Sequence, residues 1–160
     1  MTAKEYLEQV RRNETIVRNL RLDLQNAEEM ATSIKAISYD HERVQKSRNV
    51  NVVAEMVERI EEKKETLSKK LFDAFEYRLT VTNEINQLQD ERFSEVLYRR
   101  YIQFQDWALL GSEMGYNTRY VQQLNGGALV EFYEMFKDIH DFTGIGASDK
   151  GMYRKKGNKE

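Results

Sequence analysis

The chain has 160 residues, 32% of them charged and 40% hydrophobic, with a formal net charge of −2 and neither proline nor cysteine. Without cysteine there is no disulfide framework, thiolate metal site or cysteine nucleophile, and no apolar run approaches the roughly 20 residues that span a bilayer. The near-neutral charge lacks the broad basic footprint of many nucleic-acid binders, and the opening Met1–Leu7 lacks the apolar segment of a signal peptide, so a cytoplasmic location is expected.

The absence of proline permits long uninterrupted helices. Thr2-Ala3-Lys4-Glu5 is a capping-box pattern, in which hydroxyl and carboxylate satisfy opposite free amides. From there Ala3, Tyr6, Val10, Asn13, Val17, Leu20, Leu24, Ala27, Ala31 and Ile34 recur at alternating spacings of three and four. That period places them on one helix face and predicts a helix ending near Ser38.

Tyr39 to Asn51 lose the period and read as a connection. A second stripe follows through Val53, Val57, Ile60, Lys64, Leu67, Leu71, Ala74, Arg78, Val81, Ile85 and Leu88. Two helices of about 36 residues, each about 54 Å long, hide both stripes most cheaply by folding back on each other. Residues 1–90 are therefore expected to form a long antiparallel helical hairpin, coiled-coil-like, within an all-α fold. A further strip, Phe72, Phe75 and Leu79, flanks the seam and needs a cover. Either the C-terminal module or a second copy of the chain is expected there, with a homodimer preferred.

From Asp90 the predicted helices are short: Glu91–Phe104, Trp107–Met114, Asn117–Asn125 and Ala128–Phe142, with Gly144 and Gly146 as stops. These make a helix-turn-helix module over residues 91–143. Residues 144–160 follow as a tail whose Lys150, Arg154, Lys155, Lys156 and Lys159 make it basic, and which is expected to be disordered.

The stretch Trp107 to Leu124 carries the functional information. Two short helices that cross steeply need a small residue at the crossing, supplied by Gly111, and a residue tolerant of positive φ in the turn, supplied by Gly115. Leu110, Met114, Val121 and Leu124 fall where an inward face requires apolar side chains, and Asn117 suits the N-cap of the second helix. The outward set is Thr118, Arg119, Tyr120, Gln122, Gln123 and Asn125, with no carboxylate from Asn117 to Val130. Asn and Gln pair bidentately with adenine, and Arg with guanine, in the major groove.

Leu97-Tyr98-Arg99-Arg100-Tyr101, Trp107, Met114-Gly115-Tyr116, Val121 and Ala128-Leu129 resemble the small transcription regulators of Gram-positive bacteriophages and prophages. The C-terminal half of that family is similar to the sigma-factor region that reads the −35 promoter element. The opening Met1–Leu7 and the Glu42–Ser47 connection extend the resemblance to about residue 136, with Phe93–Leu129 its most specific part. It implies sequence-specific binding to double-stranded promoter or operator DNA in a bacterial host. By position, Asn117, Thr118, Arg119, Gln122 and Gln123 match the base-reading face, and Arg99 and Arg100 match the basic pair of the preceding helix. One departure is Gly127, where the family usually carries a basic residue. Another is Gly126-Gly127 itself, which is expected to interrupt a normally continuous helix at about 1 kcal/mol per glycine.

No catalytic constellation is present. His41 and His140 are the only histidines and read as ordinary surface residues. There is no HExxH spacing and no glycine-rich phosphate loop, so neither enzyme activity nor a cofactor is expected. The region Glu91–Asp141 has five basic residues against eight acids, so a lone module is expected to bind phosphates weakly. Dimerisation, the basic tail or RNA polymerase as co-binder would restore affinity. Two rival expectations are an interaction factor that docks on RNA polymerase or another regulator without reading DNA, and a DNA-packaging or recombination accessory.

Overall fold

A computed structural model describes residues 1–40 and 46–146, and the side chains of 37–50 lie outside the described set. The fold is all-α, with no strand among the described residues. Helix α1 runs Ala3–Asp40, α2 Lys46–Ile85, α3 Glu91–Leu97, α4 Trp107–Met114 and α5 Thr118–His140. A π turn, Tyr98–Ile102, continues α3. The expected connection Tyr39–Asn51 is shorter than its composition suggested, because α1 reaches Asp40 and α2 starts at Lys46. Polar residues with no seam to fill still make good helix when no proline or glycine intervenes. His41 and residues 147–160 of the expected tail lie outside the described residues, whereas Gly144 and Ile145, at the start of that expected tail, are tied by backbone hydrogen bonds to the first turn of α1.

The chain divides into two compact units, Asn13–Phe75 on one side and Met1–Arg12 with the described residues from Glu76 onward on the other. The boundary therefore does not follow the expected division at residue 90. The first turns of α1 and the last turns of α2 share a core with the C-terminal helices. Ala3, Leu7, Val10, Val81 and Ile85 join Val96, Leu97, Ile102, Leu110, Val121, Leu129 and Phe132 in one buried cluster. A cluster this size removes far more apolar surface from water than a two-helix seam does, so the start of α1 and the end of α2 are drawn into it.

The N-terminus of α1 is closed from two directions. The capping box forms as the sequence indicates: Thr2 N donates to Glu5 Oε2 at 2.8 Å and Glu5 N to Thr2 Oγ1 at 3.2 Å. The segment after α5 supplies the rest, with Ala3 N donating to the Gly144 carbonyl (2.9 Å) and Lys4 N to that of Ile145 (3.0 Å). Helix amides that have no intrahelical acceptor are thereby satisfied.

Asn13–Phe75 is a thin unit by comparison. Val17, Ala31, Ile60 and Ala74 are its buried apolar residues, all from the two predicted stripes. Lys64 of α2 reaches Glu28 of α1 at 3.5 Å, a contact made across exposed surface. Phe72 and Phe75 remain 64% and 60% exposed, so nothing among the described residues covers this part of the expected strip. In the other unit Leu79 is exposed as well. No described helix is long and apolar enough to cross a membrane.

Candidate nucleic-acid interface

The corner between α4 and α5 is fixed by caps at each end. Asp106 accepts a hydrogen bond from Leu109 N at 2.8 Å and starts α4. Gly115 ends it in the left-handed conformation, φ 73° and ψ 26°, where a Cβ would be strained. Its neighbour Tyr116 N donates to the Gly111 carbonyl at 2.8 Å. Asn117, φ −73° and ψ 156°, accepts from Tyr120 N at 2.8 Å and starts α5. A Cβ built on Gly111 would meet the Tyr116 carbonyl oxygen at 2.8 Å and Thr118 N at 3.5 Å. The backbone entering α5 therefore passes directly over Gly111. Leu110, Val121 and Leu124 are buried beneath the corner.

The candidate residues separate into three groups. Thr118, Arg119 and Gln122 are exposed on the first turns of α5, and Gln123 is half-buried. At about 100° per residue, Thr118, Arg119 and Gln122 lie within one face of the helix. Tyr120 is half-buried with its ring 4.8 Å from that of exposed Tyr116. Asn117 is exposed but its side-chain oxygen is spent on the cap. That amide is thus committed to holding α5 rather than offered whole to a base.

Asn125 corrects the expectation of an outward residue: it is only 4% exposed, and its Oδ1 has no hydrogen-bond partner. The cause is the continuity of α5. The helix runs through Gly126-Gly127 without a break, against the expected division at Asn125. Val121, Asn125, Ala128 and Phe132 then recur at spacings of four, three and four, and all four are buried. Burial of Leu124, Ala128, Leu129, Phe132 and Phe136 along one helix outweighs about 1 kcal/mol of glycine propensity at each position.

Arg99 and Arg100 are both half-buried and engaged within the fold. Arg99 pairs with Glu95 one turn back at 2.9 Å and with Glu113 on α4. Glu113 also accepts from Gln105 Nε2 at 2.8 Å. Arg100 donates to the Gln105 carbonyl at 2.7 Å and its guanidinium lies 4.4 Å from the Trp107 ring centroid. The pair thus braces the α3–α4 connection. This segment includes Phe104 at φ 60°, a costly conformation for a bulky residue, held by partial burial of its ring against the core and by the Arg11 guanidinium 5.6 Å away. The predicted single helix Glu91–Phe104 accordingly gives way to α3, the π turn and this kink.

His140 is another correction. It is half-buried near the end of α5, 2.7 Å from Glu84 Oε1, with its ring centroid 4.4 Å from that of Tyr6 and tilted 31° to it. The Tyr77 hydroxyl donates to the Tyr6 carbonyl at 2.9 Å. Burial, then the Glu84 carboxylate, raises both phenol groups above the ordinary tyrosine value. Nothing local in the sequence marked this cluster, since its members come from three distant segments. The Arg99 engagement had a signal: Glu95 stands four residues before it, the spacing of an intrahelical ion pair.

Among the described residues no group of His, Cys, Asp or Glu could hold a metal ion. Compared with protein-family models, curated proteins and solved structures, the chain matches none.

Proposed function

We propose that the chain is a DNA-binding transcription regulator of the bacteriophage type, with the first turns of α5 entering the major groove. The observation that carries this is the exposed trio Thr118, Arg119 and Gln122 on one face of a helix whose entry is fixed by Gly111 and Gly115. Arg119 has the chemistry to pair with guanine and Gln122 with adenine, and a rigid corner limits the ordering cost of presenting them. The sigma-like resemblance of Phe93–Leu129 points the same way. Exposed Leu71, Phe72 and Phe75 on α2 favour a second copy of the chain as the partner that links two weak sites.

The test is selection of bound sequences from a random duplex pool, followed by gel shifts on the enriched site. Arg119→Ala with Gln122→Ala is expected to abolish the sequence-specific shift while helicity is unchanged. Equal binding by mutant and parent removes the assignment.

A specific observation favours a second reading, an interaction factor that docks on RNA polymerase or another regulator. Of the five basic side chains between Glu91 and Asp141, Arg92 pairs with Asp90, Arg99 with Glu95 and Glu113, and Lys137 with Glu134. Arg100 is held by the Gln105 carbonyl and Trp107. Little charge is left for phosphates, which supply most non-specific affinity. Under this reading the random pool yields no enriched site and a purified polymerase retains the chain.

A further inference from the structure

The last turns of α5 carry an apolar pair on their outer side. Met135 and Ile139 stand four residues apart, hence on one face, and remain 38% and 69% exposed. The core is built by Phe132 and Phe136 of the same turns, which are buried. We propose that the outer face is the docking site of the chain's own residues 147–160, with Met152 and Tyr153 packed against Met135 and Ile139. The inference does not depend on the reading of the DNA-facing trio.

Charge selects the occupant. The stretch from Glu131 to Asp141 carries Glu131, Glu134, Asp138 and Asp141 against Lys137, a formal −3 with His140 neutral. Glu131, Glu134 and Asp138 lie at helical spacings beside Met135 and Ile139, and the last two of these acids are exposed. Lys137 pairs with Glu134 at 2.7 Å, which offsets one carboxylate of the four. Such a surface repels a duplex, whose affinity rests on cations offered to phosphates. The same face of a second copy would bring −3 against −3, and like charges across an interface disfavour it. Residues 147–160 carry Lys150, Arg154, Lys155, Lys156 and Lys159 against two acids, a formal +3. Met152-Tyr153 stands directly before the basic trio Arg154-Lys155-Lys156. The tail therefore matches the face in both respects, an apolar pair set beside charge of the opposite sign.

The tail also starts close to the surface it would cover. The Ile145 carbonyl accepts from Lys4 N at 3.0 Å, and the Tyr6 ring centroid lies 4.4 Å from that of His140 near the end of α5. Residue 146 is thus held at the start of α1, beside the last turn of α5. The six residues from 147 to Met152 reach about 20 Å when extended. Met135 stands about 7.5 Å before His140 along the helix axis, and Ile139 is nearer still. A tether this short keeps the effective concentration in the millimolar range, so contacts too weak to hold a free peptide suffice.

The chain has no cysteine, so Gly157→Cys gives a single site for a nitroxide label on the full chain. Amide spectra of the isotope-enriched protein are recorded with the nitroxide intact and again after its reduction. The intact label is expected to erase the signals of 134–139 and to spare those of Thr118–Gln122. Two variants of the labelled chain separate docking from mere proximity. Arg154→Glu with Lys155→Glu and Lys156→Glu alters no described residue and is expected to remove the effect. Met135→Gln with Ile139→Gln replaces two exposed side chains by a good helix former and is expected to remove it as well. Signals of 134–139 that stay intact, an effect that either variant retains, or one equally strong when label and isotope sit on different chains overturns the proposal.

Discussion

Two glycines in helices offer a controlled comparison, because alanine should act on them with opposite sign. Both Gly111→Ala and Gly126→Ala gain helix propensity of about 1 kcal/mol, partly by restricting the unfolded chain. At Gly126 a Cβ meets nothing within 4 Å, so the whole gain survives. At Gly111 the new carbon would lie 2.8 Å from the Tyr116 carbonyl oxygen, and backbone cannot rotate aside as a side chain can. Forced overpacking of this kind costs about 1–3 kcal/mol, and it must also shift the cap that starts α5, so the net effect is destabilising. With about 2–4 °C per kcal/mol for a chain of this size, Gly126→Ala should raise the melting temperature by about 2–4 °C and Gly111→Ala should lower it. Thermal denaturation followed by Trp107 fluorescence reads the unit that holds both sites. A Gly111→Ala variant as stable as the parent, or more so, refutes the close approach at the corner and with it the geometry that presents Arg119 and Gln122.

Further outcomes follow from the same structure. Asn117→Ala should lose about 0.5–2 kcal/mol of stability through the cap on Tyr120 N, whereas Asn117→Asp should keep it; equal melting temperatures for all three forms would deny the cap. Tyr6 and Tyr77 hold their phenolic protons above the ordinary value of 10.0, through burial first and Glu84 next. The folded state therefore keeps protons that the unfolded state releases. Stability is fully present below about pH 10 and falls as pH rises beyond it. Tyr77→Phe should flatten that alkaline slope in urea titrations, and an unchanged slope counts against the buried cluster. Phe72→Ser with Phe75→Ser, at exposed positions, should leave melting nearly unchanged while halving the mass in analytical ultracentrifugation; a parent chain that sediments as a monomer removes the proposed dimer face. Amides of Asn13–Phe75 should exchange faster than those of α5, because the thin seam buries few apolar contacts.

Local signals in the sequence determined the all-α class, the capping box at Thr2, the span of α4 from Trp107 to Met114, and the roles of Gly111, Gly115 and Asn117 at the corner. Each of these depends on residues within about four positions of one another, the range over which helix caps, turns and periodic faces are set. Tertiary structure decided the rest. Gly126-Gly127 read locally as a break, yet packing of Ala128, Leu129, Phe132 and Phe136 holds α5 straight through it. That continuity turns Asn125 inward. Arg99 and Arg100 are kept from an open surface by Glu113, Gln105 and Trp107, the nearest of them five residues from Arg100. The start of α1 and the end of α2 share the core of the C-terminal helices because Val10, Val81 and Phe132, far apart in the chain, lie in one buried cluster. Propensity acts residue by residue and is worth about 1 kcal/mol; a shared core sums over many side chains, and where the two compete the sum prevails.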